Sequence, residues 1–239
     1  MKKILARILG HKYEYYKDKL RTKVNRLLPS NISYSQFGED ILINYHIERL
    51  GLQKGVYIDV GACHPVYMSN TYKLYLKGWR GVNIDPTPAS MQSFNLYRPE
   101  DINIELAISE NEGESDFYLF KKNPELNTLI LSKEMKSQYD FYNLQPDKII
   151  KVETIPLKKI CQKYLHNKEV NFLDIDAEGF DLVVLNTYDW DSHLPELILI
   201  EEHSNFEDFI YNSDIYKFLK SKNYAMVGKI GPSYLFSTK

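Results

Sequence analysis

The sequence predicts a single α/β domain with a mostly parallel central sheet, helices on both faces and an antiparallel edge. Three observations support this fold class. The chain of 239 residues is long enough to bury one large core and too short for two. From residue 56 onward, short apolar strands alternate with helical segments. Two strands without a helix between them close the chain, which indicates the antiparallel edge.

The elements are predicted in order from the apolar periodicity of the chain. Strands are expected at residues 56–60, 81–85, 102–108, 115–120, 149–155, 170–176, 197–201, 224–227 and 234–236. Helices are expected at residues 36–50, 70–77, 87–97, 157–165, 179–187 and 213–221. Residues 121–147 have little periodicity and contain Pro124 and Pro146. This pattern is typical of an irregular insert that forms a lid or a substrate wall.

Residues 1–30 form a basic extension ahead of the main domain, which we assign to residues 31–239. The extension holds nine basic and two acidic residues, a net charge of +7, whereas the rest of the chain carries −9. Its apolar residues recur at helical spacing, so we predict an amphipathic helix over residues 3–28. This helix packs on the domain, joins copies into a homo-oligomer, or attaches to an acidic surface. The acidic body argues against a nucleic-acid enzyme, which needs a basic face.

Cysteine usage and hydropathy favour a cytoplasmic location. Cys63 and Cys161 are too far apart in sequence for a CxxC metal site, and a pair of free thiols is typical of a reducing compartment. No apolar run approaches the roughly 20 residues that a membrane-spanning helix needs. The N-terminus lacks the continuous apolar core of a secretory signal.

The first two predicted strands end in residues that suit a nucleoside. Gly61 allows a tight turn and the close approach of a ligand to the backbone, and Ala62 keeps the path open. Asp85 lies 24 residues after Gly61, where an acid commonly accepts hydrogen bonds from ribose hydroxyls. A full GxGxxG is absent, so a nucleoside without phosphates, such as S-adenosylmethionine, fits better than a dinucleotide. A structural turn followed by a chance acid is the alternative.

Several ordered segments carry a resemblance to a known family. They are SQFGED at residues 35–40, YIDVGACHP at residues 57–65, SNT at residues 69–71, GWRGVNID at residues 78–85 and DIDAEG at residues 174–179. Together they resemble the FkbM family of methyltransferases over roughly residues 33–203. The resemblance implies a Rossmann-like methyltransferase fold with S-adenosylmethionine as methyl donor. Asp174 stands where many members of that family carry Lys, so the role of that lysine does not transfer.

The resemblance also implies residues of the cofactor site. It assigns to the cofactor Gln36, Asp59, Gly61, Asn70 and Asp85, with Asp59 near the methionine part. Two further candidates follow from position along the chain. Thr71 opens a predicted helix beside the site, where it binds the cofactor or only starts the helix. Ser109 ends the third predicted strand, where it meets an adenine amine or forms a turn.

A group of acids and one histidine follows two later strands of the predicted sheet. Asp176 and Glu178 follow one strand, and Glu201, Glu202 and His203 follow the next. Clustered carboxylates repel one another unless a positive group holds them. We predict Asp176, Glu202 and His203 as the catalytic residues. They hold Mg²⁺ or Mn²⁺, or His203 acts as a general base without a metal. In the structural alternative, Glu178 caps a helix and Glu201 faces solvent.

These features predict an S-adenosylmethionine-dependent O-methyltransferase. The small members of the family imply a sugar hydroxyl as acceptor, on a nucleotide sugar or a surface-glycan precursor of capsule or lipopolysaccharide. A nicotinamide-linked sugar oxidoreductase is one alternative, because Tyr216 and Lys220 have the Tyr-x-x-x-Lys spacing. That pair falls late in the chain, and the glycine-rich opening of such enzymes is absent. A non-catalytic binding module with a methyltransferase fold is the other alternative, and the intact motif residues argue against it.

Overall fold

The computed structural model describes Tyr16, Lys19 and residues 32–130, 144–166 and 168–238. Tyr16 and Lys19 are helical. The rest of the predicted helix at residues 3–28 lies outside the described residues, and so does its predicted role in an oligomer. Within the described ranges, no helix is both long enough and apolar enough to cross a lipid bilayer.

The described residues form strands and short helices in the predicted alternation. The strands are β1 Val56–Val60, β2 Arg80–Ile84, β3 Ile102–Ile104, β4 Ala107–Ile108, β5 Gly113–Leu119, β6 Lys148–Ile155, β7 Phe172–Ile175, β8 Leu197–Glu201, β9 Ala225–Ile230 and β10 Ser233–Ser237. The helices are α1 Glu39–Arg49, α2 Tyr72–Leu76, α3 Ser90–Tyr97, α4 Leu157–Tyr164, α5 Asp181–Thr187, α6 Phe206–Asn212 and α7 Asp214–Ser221. A 3₁₀ turn, Pro124–Leu126, lies in the predicted insert.

A seven-stranded sheet forms the centre of the molecule, in the order β3-β2-β1-β7-β8-β10-β9. The strands from β3 to β8 in this order run parallel, and β10 is antiparallel to both β8 and β9. The register aligns the carboxyl ends of the parallel strands, since Val60 pairs with Ile84 and Ile175, and Ile175 pairs with Ile200. The predicted mostly parallel sheet with an antiparallel edge is confirmed.

Apolar side chains of the parallel strands pack against both faces of the sheet, which is why apolar residues predominate in these strands. On one face, Ile58 of β1 belongs to a buried cluster that includes Leu157 of α4 and Val184 of α5. On the other face, Tyr57 packs in a cluster with Ile43 of α1. Helices therefore cover both faces of the sheet, as the sequence predicts.

The predicted strand at residues 102–108 is two strands in two different sheets. β3 pairs with β2, and the Asp85 N–H donates a hydrogen bond to the Ile104 carbonyl at 3.2 Å. Beyond Ile104 the edge of β2 offers no further partner, so the chain turns away. Ala107 and Ile108 then pair with β6 in a three-stranded sheet of order β4-β6-β5. Both segments are apolar, so periodicity alone does not separate them.

The sequence pattern also does not predict α6, which precedes α7 directly. The Asn205 side chain caps α6 by accepting a hydrogen bond from the Asp208 N–H at 2.9 Å. The Ser213 hydroxyl caps α7 by accepting one from the Tyr216 N–H at 3.1 Å. Two caps in succession produce two short helices where the sequence predicts one. They follow the carboxyl end of β8, and Ser213, which caps α7, donates a hydrogen bond to Glu202.

Candidate functional site

A cavity of about 490 Å³ lies along the carboxyl ends of the parallel strands, where ligands bind in open α/β sheets. Its wall follows the strand order. Asp85 stands after β2, Gly61 after β1, Asp176 after β7, Glu201 at the end of β8 and Gly231 just before β10. The cavity therefore has two halves. We call the part over β2 and β1 the Asp85 half, and the part over β7, β8 and the β9–β10 turn the acidic half.

Asp85 is held in one orientation in the first half. Its Oδ2 accepts a hydrogen bond from the Cys63 N–H at 2.9 Å, and its Oδ1 accepts one from the Thr87 N–H at 2.7 Å. Burial raises the pKa of Asp85 above its ordinary value, and these backbone hydrogen bonds counteract the rise. Each carboxylate oxygen retains a lone pair for a ligand. Asp85 is therefore a fixed double acceptor on the cavity wall.

Gly61 brings the turn after β1 against the turn after β7. Its φ is +82°, and a Cβ at this position would lie 1.7 Å from the Asp176 carbonyl oxygen. The Gly61 N–H donates a hydrogen bond to the Ile84 carbonyl at 2.9 Å. Only glycine fits this approach, because the space that a side chain would occupy is filled by the Asp176 backbone.

An apolar wall completes the Asp85 half, and the sequence predicts it only in part, from the insert at residues 121–147. Its residues are Leu106, Ala107, Ile108, Phe117, Pro124, Leu126 and Leu129. Asn127 fixes the wall, because its Nδ2 donates to the Thr87 hydroxyl at 3.0 Å and its Oδ1 accepts from the Phe120 N–H at 2.7 Å. Residues 124–129, in the described part of the predicted insert, thus line this half. Residues 131–143 of the insert lie outside the described residues.

Three of the predicted cofactor residues, Gln36, Gly61 and Asp85, line the cavity; Asp59, Ala62, Asn70, Thr71 and Ser109 do not. Ala62 packs against α3, in a buried cluster with Met91 and Phe94. The Asn70 side chain donates to Asp174 at 3.3 Å. The Ser109 N–H donates to the Ile155 carbonyl at 3.2 Å, which continues the pairing of β4 with β6.

Asp59 and Thr71 do not line the cavity; they are hydrogen-bonded to each other and to a network around the buried Arg98. The Thr71 hydroxyl donates to the Asp59 carboxylate, and Arg98 donates to the Thr71 hydroxyl at 2.8 Å. Arg98 also donates to the Pro65 carbonyl at 2.8 Å. This network holds the loop after β1, whose residues Cys63 and Met68 do line the cavity. Asp59 and Thr71 therefore support the loop after β1 and do not themselves line the cavity.

The acidic half brings together a set of residues that differs from the predicted one. Glu178, Glu201 and His203 each offer one ligand atom, and these atoms all lie within 4.8 Å of one another. Glu202 lines the cavity, but its carboxylate accepts hydrogen bonds from Ser204 at 2.9 Å and Ser213 at 2.6 Å. These hydrogen bonds occupy the Glu202 carboxylate, whereas Glu201 at the end of β8 lies beside His203. The converging ligand atoms therefore include His203 but neither Asp176 nor Glu202, and the catalytic roles predicted for Asp176, Glu202 and His203 stay predictions.

Residues 59–226 match the model of the methyltransferase FkbM domain. This range covers more than half of the chain and includes Gly61, Asp85, Asp176 and the Glu201–His203 pair. The chain belongs to the FkbM methyltransferase family. A comparison with curated proteins gives no match. As a member of the FkbM family, the protein is a methyltransferase. The pair Tyr216 and Lys220 lies on α7 and is not among the residues that line the cavity.

A chain of ionisable groups crosses the acidic half of this FkbM methyltransferase. His203 Nε2 lies 3.4 Å from Glu201 Oε2, and the histidine side chain is 61% exposed whereas the glutamate is 12% exposed. The hydrogen bond to Glu201 raises the pKa of His203. Burial favours the neutral form of Glu201, but its hydrogen bonds with His203 and Asp176 hold its pKa below the ordinary value. Burial and the Glu201 charge raise the pKa of Asp176 well above its usual range. Burial and the Glu201 charge therefore favour the protonated form of Asp176.

Glu178 reaches this group from a strained turn in the FkbM methyltransferase. Its φ is +47°, and the next residue, Gly179, is also left-handed at +93°. The Thr128 hydroxyl contacts the Glu178 carbonyl oxygen at 2.8 Å, which ties the apolar wall to this turn. Burial and the Glu201 charge raise the pKa of Glu178 to about 8. Asp181 caps the turn by accepting the Ala177 and Gly179 N–H groups, so Glu178 is free of the capping role.

Proposed function

We propose that this protein transfers a methyl group from S-adenosylmethionine to a hydroxyl group of a sugar. The observation that carries the proposal is one continuous cavity with two chemically different halves. The Asp85 half offers a double hydrogen-bond acceptor beside an apolar wall, which suits a ribose and an adenine. The acidic half offers a histidine paired with a carboxylate, which suits removal of a proton from an oxygen nucleophile. Family membership supplies the methyl-transfer chemistry.

The residues of the Asp85 half fit the donor. Asp85 accepts hydrogen bonds from the two ribose hydroxyls, and the apolar wall packs on the adenine. Gly61 lets the turn after β1 lie against the turn after β7 in the wall that the donor would contact, and Gln36, which also lines the cavity, would contact the donor too. When bound, S-adenosylmethionine supplies a methyl group whose bond to sulfur breaks, with the electron pair left on sulfur, as a bond from oxygen to the methyl carbon forms.

His203 is the base in this proposal. Glu201 accepts a hydrogen bond from the N–H at Nε2 of His203. The lone pair of the imidazole is then on Nδ1, which takes the proton of the acceptor hydroxyl. The positive charge that develops on the imidazole is stabilised by the Glu201 carboxylate. Asp176 hydrogen-bonds to Glu201 and keeps that carboxylate in place. A sugar hydroxyl is a poor nucleophile at neutral pH, so this proton transfer is required.

The second version of the mechanism places Mg²⁺ or Mn²⁺ at Glu178, Glu201 and His203. The convergence of their three ligand atoms favours it, and oxygen ligands with one imidazole suit either ion. A cation held there would bind the acceptor hydroxyl and lower its pKa.

The two versions predict opposite responses to a chelator. With His203 as the base, we expect EDTA to leave turnover unchanged and Mn²⁺ to leave the melting temperature unchanged. Loss of turnover with EDTA, its recovery with Mn²⁺, and a rise in melting temperature with Mn²⁺ would assign the cation instead. Glu178→Gln would then abolish that rise, whereas Glu125→Gln, a carboxylate elsewhere on the wall, would not.

Asp85→Ala is expected to weaken binding of S-adenosylhomocysteine, the reaction product, by about 1.5–3 kcal/mol, the range for a hydrogen bond to a charged group. The reason is the loss of the acceptor for the ribose hydroxyls. Isothermal titration calorimetry measures the effect, with the melting temperature as a check on folding. Glu125→Ala removes a carboxylate from the same half without this role and should leave the affinity unchanged. Equal affinity of Asp85→Ala and the wild type would refute the role.

The remaining assignments of the proposal concern the acceptor and the setting. We propose a nucleotide sugar or a surface-glycan precursor as the acceptor, and the cytoplasm as the compartment. Both Cys63 and Cys161 are free thiols, which supports a reducing compartment. Family membership speaks against a nicotinamide-linked reductase, and thermal shift with S-adenosylhomocysteine and with NADPH separates the two ligands.

A further inference from the structure

Phe37 presents an aromatic ring at the end of the cavity opposite Asp85. Its side chain lines the cavity and is 51% exposed. The ring lies against the β9–β10 turn, because a Cβ at Gly231 would lie 2.6 Å from it. Pro232 in the same turn accepts a hydrogen bond from the Glu202 N–H at 3.1 Å. Phe37 therefore borders the acidic half, where β8 and β10 meet.

The backbone that carries this exposed ring is firmly held. The Phe37 N–H donates to the Glu39 carboxylate at 2.8 Å. Just before it, the Tyr34 N–H donates to the Asp40 carboxylate at 2.9 Å. Glu39 and Asp40 are 2% and 1% exposed. Two buried carboxylates thus fix a segment whose aromatic side chain points out of the core and lines the cavity.

Gly231 provides the space in which the ring lies. Its φ is +54°, and a Cβ there would come within 2.6, 2.9 and 3.2 Å of three atoms of the Phe37 ring. A residue with a side chain at this turn would push the ring aside. The turn and the ring are therefore fitted to each other, and the rest of the ring remains open to the cavity.

A pyranose ring needs two kinds of surface, one apolar for its C–H face and one polar for its hydroxyl edge. Phe37 supplies the first, and the neighbouring acidic half supplies the second through Glu178, Glu201 and His203. Aromatic rings carry large contact area at low conformational cost, which makes them effective anchors in binding sites. We propose that Phe37 is the platform on which the sugar ring of the acceptor stacks. This inference rests on the proposed methyl transfer to a sugar.

The test uses the full-length protein saturated with S-adenosylhomocysteine, which occupies the donor half. Methyl glycosides of common hexoses and 6-deoxyhexoses are the probes, and their binding is followed by saturation-transfer difference NMR. The variants are Phe37→Ala and Phe37→Tyr, the second of which keeps the ring. Tyr45→Ala is the matched control, since Tyr45 lies on α1, is 55% exposed and does not line the cavity.

In Phe37→Ala, the Kd of the glycoside that binds the wild type should rise about tenfold, equivalent to about 1.4 kcal/mol. Phe37→Tyr and Tyr45→Ala should bind it as the wild type does, and the affinity for S-adenosylhomocysteine should not change in any variant. Weaker binding of S-adenosylhomocysteine with unchanged glycoside binding would assign the ring to the donor and overturn the inference. Absence of glycoside binding by the loaded wild type would overturn it too. Both results leave methyl transfer standing, whereas failure of the wild type to bind S-adenosylhomocysteine refutes the proposed function itself.

Discussion

Gly61→Ala is expected to destabilise the protein by at least about 3 kcal/mol and to abolish binding of S-adenosylhomocysteine. A Cβ at Gly61 would lie 1.7 Å from the Asp176 carbonyl oxygen. That oxygen belongs to the backbone directly after β7, which cannot move aside without disturbing the pairing of β7 with β1. The Asp176 N–H is itself bonded to the Val60 carbonyl at 2.9 Å. Urea denaturation measures the stability, and calorimetry measures the binding.

Gly51→Ala separates the steric clash from the cost of the backbone conformation. Gly51 has a φ of +73°, close to that of Gly61, but nothing lies within 4 Å of a Cβ built on it. This control should lose only about 1–2 kcal/mol, the cost of a left-handed residue, and should bind S-adenosylhomocysteine normally. Equal behaviour of the two variants would mean that the close approach at Gly61 is not needed.

His203→Ala is expected to lower kcat by about 10²- to 10⁴-fold, the usual contribution of a general base, with donor affinity unchanged. The variant removes the group that takes the hydroxyl proton and leaves the Asp85 half untouched. Steady-state kinetics with the identified acceptor measure the effect. His166→Ala, at an exposed position beyond α4, is the control and should retain full activity. Wild-type kcat in His203→Ala would eliminate the histidine as base.

The pH profile gives an independent test of the same base. The bond to Glu201 raises the pKa of His203, so the imidazole is protonated, and inactive as a base, up to a pH above its ordinary value of about 6.5. The rate should therefore rise with pH through a pKa above that value. Glu201→Gln removes the charge that raises the pKa, so the rising limb should move to lower pH. A limb that stays in place would contradict the pairing.

The sequence predicts the parallel core of the fold well, for a physical reason. β1, β2, β7 and β8 are almost wholly buried, so most of their residues taken together are apolar, and helices separate these strands. The prediction fails at residues 102–108, where two apolar segments join different sheets. That split depends on where the edge of β2 ends, which is a property of the partner strand. It also fails at α6, whose existence depends on the caps at Asn205 and Ser213.

The same holds for the site: features that depend on nearby residues in the sequence are predicted, and features that depend on distant residues are not. Gly61 and Asp85 are predictable because their roles follow from position at a strand end. The choice of Glu201 over Glu202 is not, although the predicted end of β8 at residue 201 is correct, because Ser204 and Ser213 bind the Glu202 carboxylate in the folded protein. Asp59 and Thr71 do not line the cavity, because they belong to a buried hydrogen-bond network with Arg98, which is distant in sequence. Part of the apolar wall comes from residues 124–129 of the insert, where the lack of periodicity predicts a wall but not which residues line the cavity.

The central claim is that the two halves of the cavity hold the donor and the activated hydroxyl, and a crystal structure with S-adenosylhomocysteine tests it most directly. We predict that both ribose hydroxyls lie within hydrogen-bonding distance of the Asp85 carboxylate. The adenine should lie against the apolar wall, and the sulfur should face Glu201 and His203 across an open acidic half. A ligand whose nucleoside occupies the acidic half, with Asp85 not in contact with it, would contradict the account.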